Sequence, residues 1–157
     1  PRSVAPAPPG ETIASTPSFA SMALGIASVA WIALVLAVTL LPAPWPPNAA
    51  EAPFGVLNPS TWTAVATWRD GTMFEFIANV AMFVPLGLIA ARYLRGWMRI
   101  LGPIALTVGI EIVQIPLADR ISDPRDLIAN TLGALIGLGL ANLVVVSRPW
   151  RVRPHEG

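Results

Sequence analysis

Thr107-Val-Gly-Ile-Glu-Ile-Val-Gln-Ile-Pro-Leu-Ala-Asp-Arg-Ile-Ser-Asp-Pro-Arg-Asp-Leu-Ile-Ala-Asn130 is the stretch on which the reading of the fold turns. It places Glu111 and Gln114 inside a long apolar run, follows them with five charged residues between Asp119 and Asp126, and then enters another apolar run that holds Asn130. Two such runs joined by a charged turn read as two membrane spans with the turn at the surface. Ionisable groups are costly in hydrocarbon, so Glu111 marks the place where a function is to be sought.

The composition agrees with that reading. The 157 residues amount to one domain, and 54% apolar against 12% charged residues, with a mean hydropathy of +0.63, is far from the balance of a soluble protein. The basic residues are all arginine and are scattered over both ends and the loops, which argues against nucleic acid as a partner. The chain has no cysteine, which removes thiol chemistry and thiolate metal sites. Its single histidine, His155, stands in a polar terminal segment, so zinc and serine–histidine chemistry are not expected; an oxygen-ligated magnesium or calcium ion between Glu111, Asp123 and Asp126 is conceivable, but the expectation is no metal and no cofactor.

Outward from the opening stretch, the chain divides into a tail, four spans and a second tail. Residues 1–21 are proline-rich with few large apolar side chains and read as a disordered cytoplasmic tail. A charge-free run over 22–41 is about 30 Å long as a helix at roughly 1.5 Å per residue, the thickness of the hydrocarbon core. The long connection over 42–71 holds Trp45, Trp62 and Trp68, and Asn58-Pro59 suits the start of a short interfacial helix running through Trp68. Thr72-Met-Phe-Glu75 has the form of a capping box that opens a second span over 74–91, with Pro85 inside it. A third span is expected over 100–118. Asp123-Pro124-Arg125-Asp126 then fits the start of a fourth over 124–146, with an aspartate cap, a proline in the first position and a carboxylate near the positive end of the helix dipole. Residues 147–157 form a basic tail. The expected fold is all-α, an integral membrane four-helix bundle.

Four spans put both termini and the connection between spans two and three on one side. That side carries Arg2, Arg92, Arg95, Arg99, Arg148, Arg151 and Arg153, and the other only Arg69, Arg120 and Arg125. The positive-inside rule therefore places both termini in the cytoplasm, in a multi-pass protein of the cytoplasmic membrane. Asn79, Glu111, Gln114 and Asn130 then fall at one depth, roughly 5–10 Å below the outer surface, with Asp119, Arg120, Asp123, Arg125 and Asp126 above them. Glu111 and Gln114 share one helix face, as do Asp126 and Asn130. Arg120 is the expected partner of Glu111, since it can snorkel back towards it. Gly133, Gly137 and Ala141 form a small-residue stripe that suits close helix packing, within the monomer in preference to an oligomer.

Three readings of the polar cluster stay open. It can hold the helices together. It can bind an amphiphilic ligand at the outer face through Asn79, Glu111, Gln114, Arg120, Asp123, Asp126 and Asn130, with a membrane lipid or an amphiphilic small molecule as the partner. Or it can serve an intramembrane enzyme, with Glu111 as general acid or base, Asp126 as second carboxylate and Arg120 as oxyanion or phosphate stabiliser.

The motifs themselves resemble those of the VanZ-like membrane protein family. Asn79-Val-Ala-Met-Phe-Val-Pro-Leu-Gly87 is similar to its Asn-x-x-x-Phe-x-Pro-Leu-Gly signature, and Glu111-Ile-Val-Gln114 to its Glu-x-x-Gln. The run from Arg120 through Asp123, Asp126 and Asn130 to Gly133 resembles its Arg-x-x-Asp-x-x-Asp-x-x-x-Asn-Thr-x-Gly element. Ser122 stands where that family usually has an aromatic residue. The resemblance spans about residues 76–140 and implies a bacterial cell-envelope protein of the family named for glycopeptide resistance, without implying a reaction.

Overall fold

The computed structural model describes residues 18–42, 54–117 and 120–146, and among these the chain is helical, without strands. The helices are α1 (Phe19–Leu40), two short ones, α2 (Pro59–Thr63) and α3 (Val65–Arg69), then α4 (Met73–Tyr93), α5 (Met98–Gln114) and α6 (Pro124–Val146). A 3-10 turn, Gly55–Leu57, precedes α2. The tail residues 1–17 and 147–157, with Arg2, Arg148, Arg151, Arg153 and His155, lie outside the described residues, as do Trp45 and Asp119.

Local chemistry sets the ends of these helices. Ser18 accepts the Ser21 amide at 3.2 Å and caps α1, so the helix begins at Phe19, ahead of the charge-free run taken from Met22. It stops before Pro42, because the residue ahead of a proline is pushed out of the helical region, and Leu41 is extended at ψ 151°. At α4 the capping box is complete: Thr72 Oγ1 accepts the Glu75 amide at 3.1 Å, and Glu75 Oε2 accepts the Thr72 amide at 2.8 Å. Asp123 Oδ1 accepts the Arg125 amide at 2.8 Å, with Pro124 in the first turn of α6.

α1, α4 and α6 are each long and apolar enough to cross a membrane. α5 is shorter, at 17 residues, because it ends at Gln114, ahead of Pro116, whereas the apolar run reaches Ala118. The single short helix expected through Trp68 is divided at Ala64 into α2 and α3. Thr61 and Thr63 at its centre turn their hydroxyls onto the carbonyls of Asn58 and Ser60, a local bonding habit that suits turns better than helix interiors.

Packing brings the polar ends together. α4 and α6 form the main seam, while α5 lies against both and α1 against α4 and α5. Val35 of α1, Phe83 and Leu86 of α4 and Ile110 of α5 make the buried core, and Trp31 Nε1 donates to the Met82 carbonyl at 3.1 Å. Large apolar side chains such as Ile26 and Val29 on α1 and Leu143 on α6 face outward, the surface a bilayer would cover. Along the seam Gly133 and Gly137 of α6 meet the backbone of α4.

Candidate functional site

The end of α5, the start of α6 and the C-terminal end of α1 meet at one end of the molecule, near the start of α4. Glu111 lies at their centre with only 1% of its surface exposed. Its Oε2 accepts the Asp123 backbone amide at 2.9 Å, and the Ser122 hydroxyl bonds to the same carboxyl. Ser122 Oγ in turn accepts the Val56 amide at 3.2 Å. The 3-10 turn, the loop into α6 and the end of α5 are thus tied through a single carboxyl group. The fit is tight. A Cβ on Gly55 would run into the Ser122 side chain, and Gly55 also has φ +49°, a conformation that glycine adopts at least cost.

Arg120 does not pair with Glu111. Its Nε donates to the Leu41 carbonyl at 2.9 Å and its Nη2 to the Val38 carbonyl at 2.6 Å and again to Leu41. The physical reason is a competing acceptor set: the last carbonyls of α1 lack helical partners and carry the negative end of the helix dipole, while Glu111 already has neutral donors. Arg125 is engaged in the same manner, giving its Nη2 to the Thr72 carbonyl at 2.6 Å and lying 5.7 Å from the centre of the Phe76 ring. Arg120→Gln is expected to loosen the end of α1 and lower stability by roughly 1 kcal/mol, about one hydrogen bond with its dipole interaction. Thermal unfolding in detergent checks this, and an unchanged midpoint would leave the contact without energetic weight.

The remaining predicted residues fall into two groups. Asn79 reaches across from α4 and hydrogen-bonds the Asp126 carboxyl. Past the first turn of α6, Asn130 Nδ2 donates to Thr107 Oγ1 at 3.0 Å, and at the end of α5 Gln114 Nε2 donates to the Thr39 carbonyl at 3.0 Å. Gln114 and Asn130 are 6% and 2% exposed, yet Gln114 Oε1 and Asn130 Oδ1 have no hydrogen-bond partner among the described residues. The carbonyl of Thr39 fixes which way the Gln114 amide faces, so its Oε1 is an acceptor without a donor. Turning the Asn130 amide would merely exchange which of its ends meets Thr107.

Thr107, Thr39 and Ser122 were not legible as members of the site. The signal for Thr107 was its position four residues before Glu111 on one helix face; for Thr39 it was a hydroxyl residue in an otherwise apolar span. No group of three or more carboxylates or histidines is placed to hold a metal among the described residues.

Asp123, at the cap of α6, is shifted electrostatically. Burial raises its carboxyl above the ordinary aspartate value, the Arg125 amide and guanidinium oppose the rise, and the charge of Glu75 adds to it. The folded protein therefore holds this proton more tightly than the unfolded chain does. The stability contributed is full below the ordinary carboxylate range and is lost as pH rises through the elevated folded value. Asp123→Asn keeps a capping oxygen and should flatten that fall in a plot of unfolding midpoint against pH. An unaltered slope would contradict the assignment.

The VanZ/LLP1 family matches residues 28–145, from the middle of α1 to the end of α6. The chain belongs to the VanZ/LLP1 family. It is 32% identical over 90 residues to Protein VanZ of Enterococcus faecium, an alignment that covers 55% of this chain and 53% of that protein. The chain thus spans about half the length of this curated relative. No solved structure matches it. As a VanZ/LLP1 member with long apolar helices, it is a membrane protein.

Proposed function

We propose that this VanZ/LLP1 protein is a four-span protein of the bacterial cytoplasmic membrane, with both termini in the cytoplasm, that binds an amphiphilic ligand at the outer end of its helices. The 17 residues of α5 cover about 25 Å at roughly 1.5 Å per residue, near the short end of what crosses a bilayer. The ligand class is a lipid head group, a lipid-linked envelope precursor or a glycopeptide-type antibiotic. The buried Oε1 of Gln114, which has no hydrogen-bond partner among the described residues, carries this reading: a buried acceptor without a donor is costly, and a ligand donor would satisfy it.

The surroundings favour a head rich in hydrogen-bond donors over a phosphate. Glu75, Glu111, Asp123 and Asp126 supply carboxyls and Gln114 supplies an amide oxygen, whereas Arg120 and Arg125 direct donors to backbone carbonyls. A test compares dodecylamine with dodecyl phosphate as thermal-shift probes of the protein in neutral detergent. Stabilisation by the amine alone, lost in Gln114→Leu, is the expected result. Equal shifts by both probes, or a shift that survives in Gln114→Leu, would overturn the reading and leave the cluster as a clasp between helices.

A further inference from the structure

At the end of the molecule opposite Glu111, α1 and α4 part. Beyond the Trp31 bond to the Met82 carbonyl, a groove of about 660 Å³ opens. One face of α1, with Gly25, Ile26, Val29 and Ala30, forms one wall, and Arg92 and Tyr93 at the end of α4 close the other. Small residues make the space: a Cβ on Gly25 would stand 3.9 Å from the Tyr93 hydroxyl. The groove is apolar along its length and cationic at its mouth.

Among the described residues that charge meets no acidic side chain at this end. Residues 18–42 contain no acid and neither do residues 76–110, while Arg92, Arg95 and Arg99 stand together around the α4–α5 connection. The Arg92 guanidinium lies 5.4 Å from the centre of the Tyr93 ring, which supports it at the groove mouth. Arg99 turns inward, donating from Nε to the Leu94 carbonyl at 3.0 Å. An open, largely apolar groove along α1 from Ser21 to Ala30, ending at an arginine that meets no acid among the described residues, matches one amphiphile in shape and charge.

We infer that this groove holds an anionic glycerophospholipid, with an acyl chain along Gly25, Ile26, Val29 and Ala30 and the phosphate at Arg92. Guanidinium suits the phosphate through paired donors, and the α1 wall supplies apolar contact to the chain. This site stands apart from the Glu111 cluster and does not depend on the ligand proposed there.

The test uses the full chain in neutral detergent, titrated with dioleoyl phosphatidylglycerol or dioleoyl phosphatidylcholine and read by native mass spectrometry. The glycerol lipid should be retained preferentially, with Arg92→Gln lowering its retention about five-fold, the contribution of one arginine near an anionic surface. Gly25→Leu, which fills the groove, should lower retention as well, while Gly139→Ala, at a position that does not line it, should not. Equal retention of the two lipids, or a preference untouched by both groove variants, would overturn the proposal. So would a photo-crosslinker at Ile26 that captures residues preceding Ser18, because the chain itself would then occupy the groove.

Discussion

Gly137→Ala is expected to lower the unfolding temperature in detergent steeply, whereas Gly139→Ala, two residues further along α6, should leave it unchanged or raise it. The two positions share a helix and differ in what they face. A Cβ on Gly137 would drive into the Val84 carbonyl, standing 2.9 Å from its carbon and 3.1 Å from the Cα of Gly87. Every one of those atoms is backbone, so no side-chain rotation relieves the clash and the helices must separate. Gly87 and Gly133 meet carbonyls across the seam in the same way, through Ala134 and Val80. Overpacking ordinarily costs about 1–3 kcal/mol, and a rigid obstacle puts Gly137 at the top of that range. The gain of about 1 kcal/mol in helix propensity does not offset it. At Gly139, where no described atom lies within 4 Å, only the propensity gain remains. Equal midpoints for the two variants would refute the close seam.

That seam was legible as a spacing before it was visible as a contact, because small residues four apart on an apolar helix have few other uses. Helix starts were legible for the same kind of reason: Thr72 with Glu75, Asn58 with Pro59 and Asp123 with Pro124 act over three or four residues, and each marks a helix start, although the helix begun at Asn58 ends at Thr63 and does not run through Trp68. Ser18 is the exception. Its cap has no carboxylate at the third helical position, where Ser21 stands, and so lacks the capping-box pattern that marks Thr72.

Long-range pairing was far less legible. The choice of Arg120 between Glu111 and the α1 carbonyls is made by tertiary position, and the competing carbonyls belong to residues about eighty positions earlier. Nothing local distinguishes a guanidinium that will meet a carboxylate from one that will close a helix. Likewise, Ser122 reads as a loop residue until the 3-10 turn is set against it, and Thr39 reads as a span residue until Gln114 reaches its carbonyl. Helix rise alone set the expectation that Asn79, Glu111, Gln114 and Asn130 fall near one end of their helices, but it did not give their partners.

Glu111 is where structure and chemistry must be separated, and two substitutions should do so with opposite results. Glu111→Ala removes the acceptor of the Asp123 amide and of the Ser122 hydroxyl, leaving two donors unpaired in a site that is 1% exposed. Each orphaned donor costs about 1–3 kcal/mol and the vacated volume adds a cavity term, so a loss on the order of 3–5 kcal/mol is expected. Glu111→Gln keeps an acceptor oxygen in nearly the same place and removes a carboxyl whose burial in hydrocarbon is itself costly. Its unfolding midpoint should stay within about 1 kcal/mol of the parent, since only one hydrogen bond must be rearranged. The amine-probe shift should nevertheless weaken in Glu111→Gln, because the amide cannot offer a carboxylate to a cationic head. If Glu111→Gln unfolds as readily as Glu111→Ala, the carboxylate charge itself holds the fold. If it keeps both its stability and its probe response, Glu111 serves as an acceptor for the loop and nothing more, and the ligand must be recognised by Gln114 and Asn130 alone.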